Sequence, residues 1–187
     1  MKKIIFMILF SFFLITDAYS KENFISLDKL KNHDMNKVIF LRHALAPGNG
    51  DPPNFNINDC STQRNLDQAG IVQSKMIGNA LKKLGFKFSK IYSSFWCRCK
   101  DTVLNMEVGK FKKHAGLNSF FEKHADRKLT LIKLHNLVNS FDKLGGPYLL
   151  VTHYVNIMAF TGLSTSSGGM VAFDLNSQES IHIKLND

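Results

Sequence analysis

The sequence has 187 residues, of which 44% are hydrophobic and 21% are charged, and its formal net charge is +9. This length and composition are typical of one folded domain with its own core, and they exclude a disordered chain. The positive charge favours an anionic partner, such as a small phosphorylated molecule or a phosphorylated polymer. The lysines are scattered, with no basic run interleaved with aromatic residues, so we do not expect nucleic acid as a partner.

The first twenty residues are predicted to be a secretory signal peptide. Lys2 and Lys3 precede an apolar run over 4–15, and 18–20 form a small-x-small cleavage site. A membrane-spanning helix needs about 20 apolar residues, and the run over 4–15 is shorter than that. Cleavage of this segment is therefore expected, with a retained membrane anchor as the alternative. The folded domain is then 21–187, and the predicted location is periplasmic or secreted. Membrane attachment is expected only through an uncleaved signal segment.

Three cysteines remain after this segment: Cys60, Cys97 and Cys99. Since an exported chain enters an oxidising compartment, we predict one disulfide from Cys60 to either Cys97 or Cys99, with one thiol left over. The C-x-C pair and one distant cysteine lack the usual ligand spacing of a zinc site, so no metal is expected.

The first half of the chain alternates between helices and strands. A short polar helix is predicted around 26–33, and the apolar run Lys37–Leu41 predicts a buried strand. A long loop rich in Pro, Gly, Asn and Asp follows over 44–65. A loop as long as 44–65 within a compact domain is usually functional. After it, Asp67 can cap a helix that ends at Gly85.

The second half continues the alternation. We predict a strand over 90–92, followed by Ser93 and Ser94 as a turn or helix cap and by a helix that runs through about Val108. Another helix is predicted over 126–144, where it is ended by Gly145, Gly146 and Pro147. Further strands are predicted over 148–152, 169–175 and 180–185, the last two joined by a turn at 176–179. This order predicts an α/β fold with three α/β/α layers around a mostly parallel central sheet.

Polar side chains follow three of the predicted strands. Arg42 and His43 follow the first, Ser93, Ser94 and Arg98 follow the second, and His153 follows the third. In open parallel sheets, ligands bind at the carboxyl ends of the strands. Two arginines would bind phosphate oxygens, a neutral His43 could act as nucleophile, and a second, protonated histidine would offset the charge of phosphoryl transfer.

Four segments, in this order, resemble the successive signatures of the histidine phosphatase superfamily, in its small branch, which has the phosphoglycerate mutase-like fold. They are "LRHALAPG", "QRNLDQAG", "IYSSFWCRCKDT" and "LLVTHYVNI", and they span most of 38–160. The stretch "DCSTQRNLDQAG" resembles exported members more than it resembles the glycolytic mutases.

The resemblance implies a role for each matching residue. His43 would become phosphohistidine, with its proton placement fixed by a backbone acceptor on the other ring nitrogen. Arg42 and Arg98 would bind the phosphoryl oxygens, and His153 would complete the pocket. No cofactor or metal is implied. The predicted substrate contacts are Arg64, Ser94 and Asn49.

Two departures from the family pattern stand out. Phe95 replaces the usual proline of the S-S-P segment, a change that a helix start tolerates. Ser119 stands nearest to the position of the usual general-acid glutamate, and Glu122 and Asp126 are the nearby substitutes, of which Glu122 is our candidate. A missing acid would favour good leaving groups, as in phosphohistidine, phosphoramidates, anhydrides or aryl phosphates.

The sequence therefore predicts an exported, metal-independent phosphatase that hydrolyses a phosphomonoester or similar phosphoryl compound through a phosphohistidine intermediate. The alternative is a catalytically weakened member of the same fold that binds a phosphorylated ligand. A phosphoglycerate mutase proper does not fit a signal peptide, since that metabolic role is cytosolic.

Overall fold

The computed structural model describes residues 24–32 and 37–185, so the predicted signal peptide lies outside the described residues. The helices are α1 (Leu27–Asn32), α2 (Gln68–Lys83), α3 (Cys97–Met106), α4 (Arg127–Asn139) and α5 (Tyr154–Thr161). The strands are β1 (Phe24–Ser26), β2 (Lys37–Arg42), β3 (Lys90–Ser93), β4 (Lys112–Lys113), β5 (Tyr148–Thr152), β6 (Met170–Asp174) and β7 (Ser180–Lys184).

The seven strands form one sheet in the order β1-β7-β6-β2-β5-β3-β4. Strand β2 pairs in parallel with β5, and β5 pairs in parallel with β3. Strand β6 is antiparallel to both β2 and β7, so the sheet is mixed but mostly parallel, as predicted. The carboxyl ends of β2, β5 and β3 consequently lie side by side.

The core has one layer on each face of the sheet because side chains alternate along a strand. From β2, Ile39 and Leu41 pack into the cluster that contains residues of α1, α2 and α3. Val38 and Phe40 pack into the opposite cluster, with residues of α4 and α5. This arrangement confirms the predicted three-layer α/β/α architecture and anchors β2 in the middle of the core.

Helix α2 begins and ends as predicted. The side chain of its N-cap, Asp67, accepts a hydrogen bond from the backbone of Gly70, and Gly85 beyond its last turn has φ = 71°. No helix within 24–32 and 37–185 is long and apolar enough to cross a membrane.

Two helix boundaries differ from the prediction. Helix α4 ends at Asn139 rather than at 144, because the hydroxyl of Ser140 bonds the carbonyl of Leu137 and closes the last turn. Phe141 then turns into the core and stacks on Tyr148, with ring centroids 4.1 Å apart. Helix α3 runs only from Cys97 to Met106, because Glu107 adopts the left-handed conformation.

Candidate active site

Backbone hydrogen bonds hold the three strand ends together. The N–H of His43 donates to the carbonyl of Thr152 at 2.9 Å, and the N–H of Ser94 donates to Val151 at 3.0 Å. The ring centroids of His43 and His153 are consequently 5.4 Å apart. The predicted convergence of these strand ends is therefore present in the fold.

A small cavity of about 60 Å³ lies at these strand ends. By the space that one water needs, this volume admits roughly four to six water-sized groups, which suits one phosphoryl group. A larger cavity of about 360 Å³ elsewhere is walled by Phe160 and Phe173 and has no arginine. The residues that line the small cavity are Arg42, His43, Gly48, Asn49, Gly50, Arg64, Arg98, Ser119, Phe121, His153 and Tyr154.

His43 has the proton arrangement of a nucleophile. Its Nδ1 lies 2.8 Å from the carbonyl oxygen of Ala44, an acceptor, so Nδ1 carries the proton and Nε2 keeps its lone pair. Burial, together with the positive charges of Arg98, Arg42 and Arg64, lowers the pKa of His43 to about 3, against an opposing contribution from the Ala44 bond. The imidazole is therefore neutral at ordinary pH.

His153, which is expected from the sequence to be protonated during phosphoryl transfer, is neutral in the free protein. Burial lowers its pKa well below the ordinary value, and the positive charges of Arg98, Arg64 and Arg42 act in the same direction. The free protein thus contains two neutral histidines beside the arginines. Because the causes that lower this pKa are positive charges and burial, a bound anion would raise it again.

Ser94 lies behind His153 and does not line the cavity. Its hydroxyl donates to Asn118 Oδ1 at 3.2 Å, accepts from the backbone of Trp96 at 3.2 Å, and lies 3.1 Å from His153 Nε2. With its one proton directed to Asn118, Ser94 accepts from an Nε2 that carries hydrogen. The structure therefore places Ser94, predicted as a substrate contact, in the position to orient His153.

Arg42 and Arg98 each have one buried side-chain nitrogen, Nε, without a hydrogen-bond partner among the described residues. Nη1 of Arg42 bonds the carbonyl of Thr165 at 3.0 Å, and its guanidinium lies 5.2 Å from the centroid of the Tyr154 ring. Within 24–32 and 37–185, the Nε atoms of both arginines are buried and lack a hydrogen-bond partner. Buried donors are normally paired, so two of them beside one cavity indicate a site for an oxyanion.

Arg64 lines the cavity and is held by backbone carbonyls of the long loop. Its Nε donates to the carbonyl of Gly50 at 2.7 Å, and Nη1 donates to that of Ala46. Burial and the charge of Arg98 lower its pKa, although the guanidinium remains charged at any working pH. Asn49, which is also predicted to contact the substrate, lies on the same loop and lines the same cavity.

Asp51 is a site residue that sequence reasoning missed. Its carboxylate accepts from Arg98 Nη1 at 2.7 Å and Nη2 at 3.2 Å, from the Arg64 backbone at 3.0 Å and from Trp96 Nε1 at 3.0 Å. Burial raises the pKa of this carboxyl, but the bonds from Arg98, Trp96 and Arg64 outweigh it, and the pKa is lowered overall. Only its position in a long loop with few acidic residues could have drawn attention to it.

Glu122, the candidate acid, lies beside the cavity rather than in its wall. Its side chain is 43% exposed, and its carboxylate lies 3.5 Å from His124 Nε2 and 3.4 Å from the backbone nitrogen of Asp51. Gly50 makes room for it, since a Cβ there would lie 2.5 Å from Glu122 Oε1. Asp126 is occupied as the N-cap of α4, where it accepts from Leu129.

The described residues that line the cavity consequently include no carboxylic acid. Ser119, which stands nearest to the position of the usual glutamate, is one of these lining residues. The described residues also contain no group of three or more His, Cys, Asp or Glu arranged to hold a metal ion.

The disulfide joins Cys60 to Cys97, which resolves the two predicted alternatives. It connects the long loop to the first residue of α3, next to Arg98. Cys99 is the remaining thiol; it is buried, and its Sγ lies 3.5 Å from His153 Nε2. Burial raises the pKa of Cys99 to about 12, so this thiol stays protonated and is not a competing nucleophile.

No protein-family model matches the sequence, and a search of curated proteins finds no significant match. Solved structures do match. The protein histidine phosphatase SixA complexed with tungstate is 16% identical, with a TM-score of 0.54, over 78% of this chain and 93% of that one.

A phosphoserine phosphatase mutant from Entamoeba histolytica, complexed with phosphoserine, is 15% identical, with a TM-score of 0.52 over 81% of this chain and 96% of that one. A mycobacterial glucosyl-3-phosphoglycerate phosphatase is 15% identical, with a TM-score of 0.51 over 78% and 96%. The chain therefore shares the fold of these phosphatases, which is the phosphoglycerate mutase-like fold that the four sequence segments implied.

Proposed function

We propose that this protein is a phosphatase in which His43 is the nucleophile and a phosphohistidine is the intermediate. One observation carries the proposal: a neutral His43, with its proton held on Nδ1 by Ala44, lines a cavity where two buried arginine Nε donors lack partners. A phosphoryl group would supply the missing acceptors and place phosphorus beside Nε2. Three similar solved structures, all named as phosphatases, support the same class of reaction.

The reaction has two steps. In the first, His43 Nε2 forms a bond to phosphorus while the bond from phosphorus to the leaving atom breaks, and the leaving atom keeps the electron pair. Arg42 and Arg98 donate to the equatorial oxygens, which carry the developing charge. In the second, a water oxygen attacks phosphorus and the bond to Nε2 breaks, returning the lone pair to His43 and releasing inorganic phosphate.

His153 takes part through the proton balance of the site. In the free protein its pKa is low because of burial and the neighbouring arginines. A phosphoryl group brings negative charge that opposes these causes, so Nδ1 can take up a proton when substrate binds. His153 then donates to a phosphoryl oxygen while Ser94 holds its Nε2.

The substrate is a phosphomonoester or a similar phosphoryl compound with a good leaving group. No carboxylic acid belongs to the described wall, so nothing there protonates a poor leaving group such as an alkoxide. The cavity is also small, so only the phosphoryl group enters and the rest of a small substrate or phosphorylated polymer remains at the mouth. Phosphohistidine, phosphoramidates, anhydrides and aryl phosphates meet both conditions.

The test is hydrolysis of p-nitrophenyl phosphate and of a phosphoramidate by the purified protein. Turnover is expected to resist EDTA, to be inhibited by vanadate and to be lost in His43→Ala. His135→Ala, at an exposed histidine far from the cavity, is the matched control and should retain full activity. An active wild type whose His43→Ala variant kept its activity would refute the proposal.

A second candidate function is binding of a phosphorylated ligand without efficient catalysis. The observation that favours it is the same absence of a carboxylic acid from the described cavity wall. Calorimetric binding of inorganic phosphate together with no turnover across a panel of phosphomonoesters, phosphoramidates and anhydrides would establish this alternative.

We further propose that the protein is exported, with 1–20 as its signal peptide and 21–187 as the mature domain. The Cys60–Cys97 disulfide supports this location, because such bonds persist mainly in oxidising compartments. Cell fractionation and N-terminal sequencing of the mature protein test the location and the cleavage site. A cytosolic protein that retains its first twenty residues would contradict the proposal.

A further inference from the structure

We infer that Asp51 is a positioning residue that directs Nε of Arg98 toward the bound phosphoryl group, an inference that rests on the proposed function. Asp51 is not among the described residues that line the cavity, so it acts through Arg98 and does not touch the substrate. The argument depends on how the guanidinium distributes its hydrogen-bond donors.

A guanidinium has five N–H donors in one plane, four on the two Nη atoms and one on Nε. In Arg98, Nη1 donates to Asp51 Oδ1 and to the carbonyl of Arg64, and Nη2 donates to Asp51 Oδ2. The carboxylate therefore binds both Nη atoms in a bidentate pair, which fixes the plane of the Arg98 guanidinium. Nε is left buried and without a partner in the described structure.

The pair is itself fixed. The side chains of Arg98 and Asp51 are only 4% and 3% exposed, so water does not compete freely for their hydrogen bonds. Asp51 also accepts from the Arg64 backbone and from Trp96 Nε1, which give the carboxylate two further hydrogen-bond donors. Arg98 therefore cannot rotate its guanidinium away from Asp51 without leaving a buried charge unpaired, which is strongly unfavourable.

Asp51 also sets the charge of the site. Three guanidinium groups, those of Arg42, Arg64 and Arg98, line the same small cavity. The carboxylate of Asp51 offsets one of these charges in the absence of substrate. Because Asp51 is not among the described residues that line the cavity, it does so without taking up the space of the phosphoryl group.

The primary variant is Asp51→Asn, which keeps the size of the side chain but loses the negative charge and the second acceptor for Arg98. We expect its dissociation constant for inorganic phosphate or vanadate to rise about tenfold to hundredfold, because losing one well-oriented charge-assisted hydrogen bond from Arg98 outweighs the gain in net positive charge. Asp59→Asn is the matched control. Asp59 lies in the same loop, and among the described residues its carboxylate accepts hydrogen bonds only from Ser61, so phosphate binding should not change.

A double-variant cycle separates positioning from a general effect on folding. If Asp51 acts through Arg98, Asp51→Asn should weaken phosphate binding in the wild type but have little further effect in Arg98→Ala. Equal losses in both backgrounds would overturn the inference. Thermal unfolding and near-ultraviolet circular dichroism of each variant show whether the fold is retained.

A measurement on the wild type keeps the test valid if Asp51→Asn does not fold. In arginine Nε–H NMR spectra, the Arg98 signal, assigned through Arg98→Lys, should shift when phosphate saturates the site. An Arg98 signal that does not move, while phosphate binds, would overturn the inference.

Binding and turnover also separate this inference from the proposed function. Phosphate binding that depends on Asp51 without turnover would refute the phosphatase and leave the inference intact. Turnover in the wild type with unchanged binding in Asp51→Asn would refute only the inference. A wild type that does not bind phosphate would refute both.

Discussion

The backbone N–H of His43 donates a 2.9 Å hydrogen bond to the carbonyl of Thr152, the residue directly before His153. This bond extends the β2–β5 pairing by one step past the end of β2 and sets the spacing of the two histidines. The nucleophile and its neighbour are thus positioned by the central strands of the sheet rather than by a flexible loop. Four predictions follow from the contacts around them, each with its own measurement.

Ser94→Ala is expected to lower kcat without abolishing it. The variant removes the acceptor for His153 Nε2, so the imidazole loses its orientation but remains in the site. A loss of about tenfold is expected, the equivalent of one hydrogen bond of roughly 1.4 kcal/mol. Steady-state kinetics on an aryl phosphate measure it, with the exposed Ser177→Ala as control. An unchanged kcat would show that His153 needs no support from Ser94.

Stability should fall as the pH drops below about 6.5. His43 has a folded-state pKa of about 3, below its ordinary 6.5, so the unfolded chain binds a proton in this range and the native chain does not. The resulting loss in the free energy of unfolding begins near pH 6.5 and is complete near pH 3.

The variant His43→Asn isolates this contribution. Urea unfolding at pH 7 and pH 4.5 should show a smaller loss of stability for His43→Asn than for the wild type, because one of the histidines whose pKa is lowered on folding is gone. His135→Asn, at an exposed position, should follow the wild type. Identical losses in all three proteins would contradict the assigned low pKa of His43.

Removing the disulfide should destabilise the protein and weaken anion binding together. Cys60 and Cys97 are 37 residues apart, and closing a loop of this size contributes about 4 kcal/mol in the chain-entropy model. The bond also ties the loop that carries Asp51 to the start of α3. For Cys60→Ser/Cys97→Ser, we expect a lower unfolding midpoint in urea and weaker vanadate inhibition. Cys99→Ser, which leaves the disulfide intact, serves as the comparison.

The rate should depend steeply on the leaving group. Without a carboxylic acid in the described cavity wall, the leaving atom departs with its negative charge largely uncompensated. Across a series of aryl phosphates, log(kcat/KM) should fall steadily as the pKa of the phenol rises, and alkyl phosphates should react slowest. Introducing an acid with Ser119→Glu should flatten this dependence. A flat dependence in the wild type would reveal an acid outside the wall.

Much of the sheet and its helices could be predicted because the signals are local. The apolar runs of β2 and β5, the Asp67 cap and the Gly85 stop all lie within a few residues of the elements they define. Strands β1 and β4 were not predicted, since each is only two or three residues long at an edge of the sheet and carries no alternating pattern. The end of α4 depended on a hydroxyl-to-carbonyl bond of Ser140 that composition does not reveal.

The sequence alone predicts that Arg42, His43 and His153 follow strand ends, and that they meet if those strands are neighbours, because strand ends in a parallel sheet share one edge. Their hydrogen-bond partners and their charges depend on the tertiary structure. The pairing of Asp51 with Arg98, of Cys60 with Cys97 and of Ser94 with His153 each joins residues 37 to 59 positions apart. Burial beside three arginines, which no local pattern encodes, makes both histidines neutral and leaves the site ready for an anion.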